Sequence, residues 1–172
     1  MDQTYLIILR LFHIVTGVFW AGSTIYLARF VIPAAKALGP EGGRFMQQLT
    51  MTNNLPAAML GAGTLNILSG ILLFWELSGG FQSAWFSSHY GMTLSIGGTT
   101  GLIAYIIGVT MNRPAGMRMA ALSKAIAASG GVPTPEQAQQ VQDARNKLIS
   151  ATNRIAGLLV ITVIAMAIAR YT

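Results

Sequence analysis

The chain has no cysteine among its 172 residues. That absence excludes disulfides, cysteine-ligated zinc and iron–sulfur clusters together. Charge is scarce as well. Charged residues make up 9% of the chain, against about 25% in a soluble domain. A globule of this size would need a polar shell that these residues cannot supply. Acidic residues number five, and the one that touches an apolar run, Glu76, stands at its very end. Carboxylate-driven antiport, paired-carboxylate catalysis and a Ser-His-Asp set are thereby disfavoured. Gly61-Ala62-Gly63 and Gly97-Gly98 sit inside apolar segments with no nucleotide motif after them, so no phosphate-cradling loop is present. Apolar residues, by contrast, reach 53%, which excludes disorder.

The apolar residues gather into four runs near the roughly 20 residues that a helix needs to cross a bilayer. They cover about 5–32, 55–77, 91–111 and 148–169. Arg10 makes the start of the first run uncertain, so it begins at Tyr5 or at Leu11. Pro56, after Asn53 and Asn54, suits the first turn of the second helix. The N-terminus carries Asp2 and no early Lys or Arg. The first run is therefore expected to be a mature helix rather than a signal peptide. The fold class expected is all-α: one integral-membrane four-helix bundle spanning 1–172.

The basic residues are unevenly placed. Arg29, Lys36 and Arg44 flank the first connection, and Arg113, Arg118, Lys124, Arg145, Lys147 and Arg154 flank the third. Only Arg10 and Arg170 fall at the other side. The positive-inside rule then puts both termini outside and the first and third connections in the cytoplasm of a bacterial-type cell, with the bundle in the inner membrane. The lipid bilayer accounts for the +6 net charge. No stacking aromatics accompany the cations, so nucleic acid is not expected as a partner.

The third connection is more than a loop. Thr134-Pro135-Glu136-Gln137 has the pattern of a helix start. The chain from there stays helix-compatible to Arg170, about 54 Å of helix, of which the membrane needs about 30 Å. Ala115, Met119, Leu122 and Ile126 form a heptad-like stripe before it. With Ser129-Gly130-Gly131 as the turn, the third and fourth helices are expected to extend into a cytoplasmic hairpin over 112–147, kinked at Pro114. A membrane-surface helix is the competing reading. The pairs Gly17/Ala21, Ala57/Gly61 and Gly97/Gly101 are expected to mark packing faces.

Ionisable groups inside a bilayer are costly, and so become functional candidates. Arg10 and His13 lie three residues apart on one helix face, which Thr16, Gly17, Trp20 and Thr24 continue. Two readings of His13 stand: a hydrogen-bonded packing histidine, or a ligand to haem or a metal. Arg10 would suit a carboxylate or propionate, or would snorkel to the interface. His89, just before the third run, is the other histidine. A solvated loop residue is its default, and joint ligation with His13 requires the outer connection to dip inward. Nine methionines raise copper passage as a further possibility, although their scatter through all regions suits core filling.

Arg10-Leu11-Phe12-His13, with Trp20 seven residues and Arg29 sixteen residues after the histidine, resembles the first helix of the HemJ-type protoporphyrinogen oxidases and of the related CopD-type copper-resistance membrane domain. Trp85 to His89 and Arg145 to Asn153 fit the same layout more loosely. The resemblance implies a four-helix membrane fold and binding of haem b through His13. Two positions depart from the pattern. Gly91 stands where the family has lysine, and Arg154 where it has glutamate. These are groups that a porphyrinogen oxidase would use for substrate or proton handling. The resemblance thus implies a redox or haem-linked role, with Arg10 available to a propionate. Arg29, about 24 Å further along the axis, cannot serve the same haem edge. Two alternatives are a cofactor-free partner or scaffold protein docking through the hairpin, and metal-ion passage. A homodimer sharing one haem is compatible with the small-residue faces.

Overall fold

A computed structural model describes residues 3–172. It is built from helices alone among the described residues. We number them α1 (Gln3–Ala37), α2 (Pro40–Gln47), α3 (Leu55–Leu77), α4 (Ser83–Phe86), α5 (His89–Ala128) and α6 (Pro135–Tyr171). Four of them, α1, α3, α5 and α6, are long and apolar enough to cross a membrane. The first of these begins at Gln3, so Arg10 lies inside the helix and not before it. The second has the bounds expected.

The four long helices pack as a ring. The most extensive contacts join α5 to α6 and α1 to α3. α6 also touches α1, and α3 touches α5. Small residues set the close approaches. A side chain at Gly97 would meet Ala165 and Met166, and one at Gly101 would meet Thr162. The pair expected at Ala57/Gly61 does not pack: both residues are exposed, and nothing lies within 4 Å of a Cβ at Gly61. The glycine that packs on α3 is Gly63, against the Trp20 ring. The buried face of α3 is Gly63, Asn66, Ser69 and Leu73, and Gly61 lies off it. A small core of Trp20, Ala21, Ala104, Ile155 and Leu159 joins α1, α5 and α6.

Most of the apolar surface faces outward. Val18 is 69% exposed and Ile7 64%, with Leu68, Ile96 and Ile164 each above half. Exposed apolar area on this scale is not carried by soluble monomers. It is what a lipid-facing helix requires, and the architecture is that of an integral membrane protein. Phe74, Trp75, Phe81, Trp85, Phe86 and Tyr90 make edge and stacked contacts around α4. The amphipathic rings among them, Trp75, Trp85 and Tyr90, are of the kind that concentrates at membrane–water interfaces.

α1 and α5 each change pitch before a proline. A π-helical turn occupies Leu27–Val31 ahead of Pro33, and another Gly108–Asn112 ahead of Pro114. A proline ring collides with the carbonyl four residues earlier. Those carbonyls belong to Arg29 and Thr110, the middle residue of each π turn. Widening the turn moves the carbonyl off the ring and keeps the helix continuous. The disturbance expected at Pro114 therefore takes this form, one turn upstream.

Beyond Pro114, α5 packs along the first half of α6. Ala115 is buried there, and Met119, Leu122 and Ile126 are half-buried, facing a helix whose Ala144 is buried. Gly130 and Gly131 turn the chain at φ of 101° and 83°, values a side chain would resist. Thr134 then caps α6. Its hydroxyl accepts from the Gln137 amide at 3.2 Å, and the Gln137 side chain accepts from the Thr134 amide at 3.0 Å.

Candidate functional site

His13 lies on the face that α1 turns to α3. Its Nδ1 is 2.9 Å from the backbone oxygen of Asn66 and 3.1 Å from Oγ of Ser69. A carbonyl oxygen can only accept, so the 2.9 Å contact makes Nδ1 the protonated, donating nitrogen, against a longer 3.3 Å contact with Asn66 Nδ2, itself a donor. The Ser69 hydroxyl spends its own proton on the Leu65 carbonyl at 2.7 Å, which leaves a lone pair for the same Nδ1–H. Asn66 closes the pair from the other direction, since its Nδ2 donates to the backbone oxygen of His13 at 2.7 Å. Asn66 and Ser69 are buried, and His13 is half-buried.

Two glycines make room for this contact. A Cβ at Gly70 would stand 3.0 Å from Cε1 of His13, and one at Gly17 would stand 2.7 Å from Nδ2 of Asn66. The imidazole is thus held edge-on against α3 with its tautomer fixed. Among the described residues, no polar atom bonds Nε2. Ligating histidines generally have this arrangement: one nitrogen donates to a carbonyl, and the other keeps its lone pair for the metal.

Neither other candidate joins that network. Arg10, one turn earlier, is exposed. The one ion pair among the described residues is Arg44–Glu41, so none of their carboxylates pairs with Arg10. His89 is the first residue of α5, with an exposed side chain. Its hydrogen bond to Thr93 uses the backbone oxygen and not the ring. No cluster of three or more His, Asp or Glu able to hold a metal ion occurs among the described residues. His13 therefore offers one donor, and a metal there must bring its remaining ligands with it. Porphyrin iron carries nitrogen ligands of its own. The end of Met166 fills space against Gly97.

A second polar contact ties the ring together. The hydroxyl of Thr64 on α3 and that of Tyr105 on α5 are 2.8 Å apart. Thr64 donates to the Leu60 carbonyl, so Tyr105 is the donor between them. The Tyr105 ring meets Trp20 edge-on with centroids 6.2 Å apart. Trp20, one of the residues carrying the family resemblance, is a packing anchor here. Gly91, where the resemblance expects lysine, is tightly enclosed, and a Cβ there would overlap the Trp85 carbonyl.

Asn66, Ser69, Thr64 and Tyr105 are residues that sequence reasoning passed over. A search confined to ionisable groups does not find them. The available signal was Asn66 itself, the sole amide in 55–77, because an amide in hydrocarbon must find a partner. Compared with known proteins, the chain matches no family model, no curated protein and no solved structure.

Proposed function

We propose that this integral membrane protein binds haem b, whose iron Nε2 of His13 would hold. The observation that carries this reading is the Nδ1 contact with the Asn66 carbonyl, which leaves Nε2 as a fixed, unpaired donor. A bare ion is less well served, since the site holds a single histidine and no acidic ligand cluster accompanies it. When bound, haem supplies a one-electron iron couple. The chain's own part is to orient the imidazole through α3 and to offer Arg10 to a propionate. The cationic ends of the helices support a topology with the termini outside and the α5–α6 hairpin in the cytoplasm. On this reading the protein is a relative of the HemJ/CopD-type membrane proteins with a redox or haem-linked role.

One observation favours a second reading, that of a cofactor-free partner subunit. A cleft of about 410 Å³ opens beside the hairpin, between Gln47 and Met51 on one side and Ala120, Ser123 and Lys124 on the other. The deciding experiment is an oxidised-minus-reduced spectrum of protein purified in mild detergent from haem-replete cells. The haem reading expects a Soret band that His13→Ala abolishes and His89→Ala retains, at one haem per chain or one per two chains. Folded, helical wild-type protein with no Soret band would overturn it in favour of the partner reading.

A further inference from the structure

We propose that the cleft where α5 and α6 leave the apolar layer is a binding site for the phosphate group of an anionic phospholipid. The cleft, about 80 Å³, is lined by Ala115, Arg118, Gln140, Asp143, Ala144 and Lys147. Its level is set by helix rise. The apolar run of α5 ends near Met111, so Arg118 stands about 10 Å beyond it at 1.5 Å per residue. Lys147 directly precedes the apolar run of α6, and Asp143 lies about 8 Å outside it. The headgroup layer occupies roughly the 5–8 Å outside the hydrocarbon on each side. From Lys147 at the apolar edge to Arg118 just beyond the headgroups, the cleft therefore spans the depth where lipid phosphates lie.

Its charge fits that ligand. Arg118 and Lys147 are exposed, and neither is ion-paired with Asp143. Asp143 instead accepts from the Gln139 side chain at 3.0 Å. Two cations remain free for an anion, with the Gln140 side chain as a further donor between them. Arg113 and Arg145 stand on the same two helices close by, and basic recesses between helices at this depth hold anionic headgroups. Asp143 opposes the anion, which gives the proposal a sign that can be tested. The site is independent of any cofactor at His13.

The test is titration of the purified, detergent-solubilised chain with phosphatidylglycerol, with phosphatidylcholine, and separately with inorganic phosphate, followed by native mass spectrometry. Each such cation contributes roughly a five-fold preference for anionic lipid. We expect one tightly held phosphatidylglycerol, weakened about 25-fold in Arg118→Gln/Lys147→Gln and tightened in Asp143→Asn. The charge-preserving swap Arg118→Lys/Lys147→Arg should retain binding, which separates loss of the site from loss of the fold. If inorganic phosphate binds with the same dependence on these residues while phosphatidylglycerol does not, the phosphate chemistry stands and its source is a soluble ester. Equal binding of the two lipids, or phosphatidylglycerol binding unchanged in the double glutamine variant with no phosphate bound, overturns the proposal.

Discussion

Gly17→Ala tests the His13–Asn66 contact without touching either residue. The added methyl would stand 2.7 Å from Nδ2 of Asn66. Ordinary contact begins near 3.4 Å, so the amide must retreat by about 0.7 Å. That amide donates to the His13 carbonyl at 2.7 Å, and the same retreat would stretch the bond to the edge of hydrogen-bonding range. An interhelical hydrogen bond in a membrane is worth about 0.6 kcal/mol on average and about 1.7 at most. Overpacking adds about 1–3 kcal/mol. Glycine's unfavourable helix propensity gives little back, because membrane helices stay helical in the unfolded reference state. The sum is a loss of about 2–5 kcal/mol, or at least roughly 30-fold in the folding equilibrium. Reversible unfolding in mixed micelles measures it. Gly61→Ala, whose Cβ meets nothing within 4 Å, is the control and should change stability by less than about 0.5 kcal/mol. In Gly17→Ala/Asn66→Ala the clash is gone, so the double variant should be no less stable than Asn66→Ala alone. Strict additivity, or a neutral Gly17→Ala, would refute the reasoning.

Other outcomes follow from single contacts. Tyr105→Phe removes the donor to Thr64 but keeps the ring against Trp20, and should cost about 0.6–1.7 kcal/mol in the same unfolding assay. Tyr105→Leu also empties the space beside Trp20 and should cost more. Thr134→Ala removes the reciprocal cap of α6. It should cost about 1 kcal/mol, seen as faster amide exchange over the first turn of α6 with exchange in the apolar half unchanged. Because the chain has no cysteine, a cysteine placed at Gln82 or at Ser129 is its only thiol. An impermeant maleimide should label the first in intact cells and the second only after the membrane is opened. The reverse pattern would invert the topology.

The membrane helices were legible because hydropathy and length carry most of the information. The 55–77 run matches α3, and the Thr134 signature matches the cap of α6. Helix ends shifted where flanking polar residues continued a helix, as at Gln3 and His89. Partner choice was not legible. Lipid and protein interiors are equally apolar, so periodicity does not say which face meets a neighbour. Gly61 illustrates this: it was expected to pack, yet it faces outward while Gly63 meets Trp20. At the candidate site, His13 stood out as an ionisable group in an apolar run. Its environment did not, since the contact that fixes the ring is a backbone carbonyl of α3, and no side-chain pattern records where a carbonyl points.

The central claim is that α3 holds the Nδ1 proton of His13 and leaves Nε2 as an open donor. Nitrogen-15 NMR of ring-labelled histidine in the cofactor-free protein, assigned by comparison with His13→Ala, reads this directly. The account predicts a protonated, pyrrole-type Nδ1 and an unprotonated, pyridine-type Nε2 for His13. A proton on Nε2, alone or together with Nδ1, would contradict it.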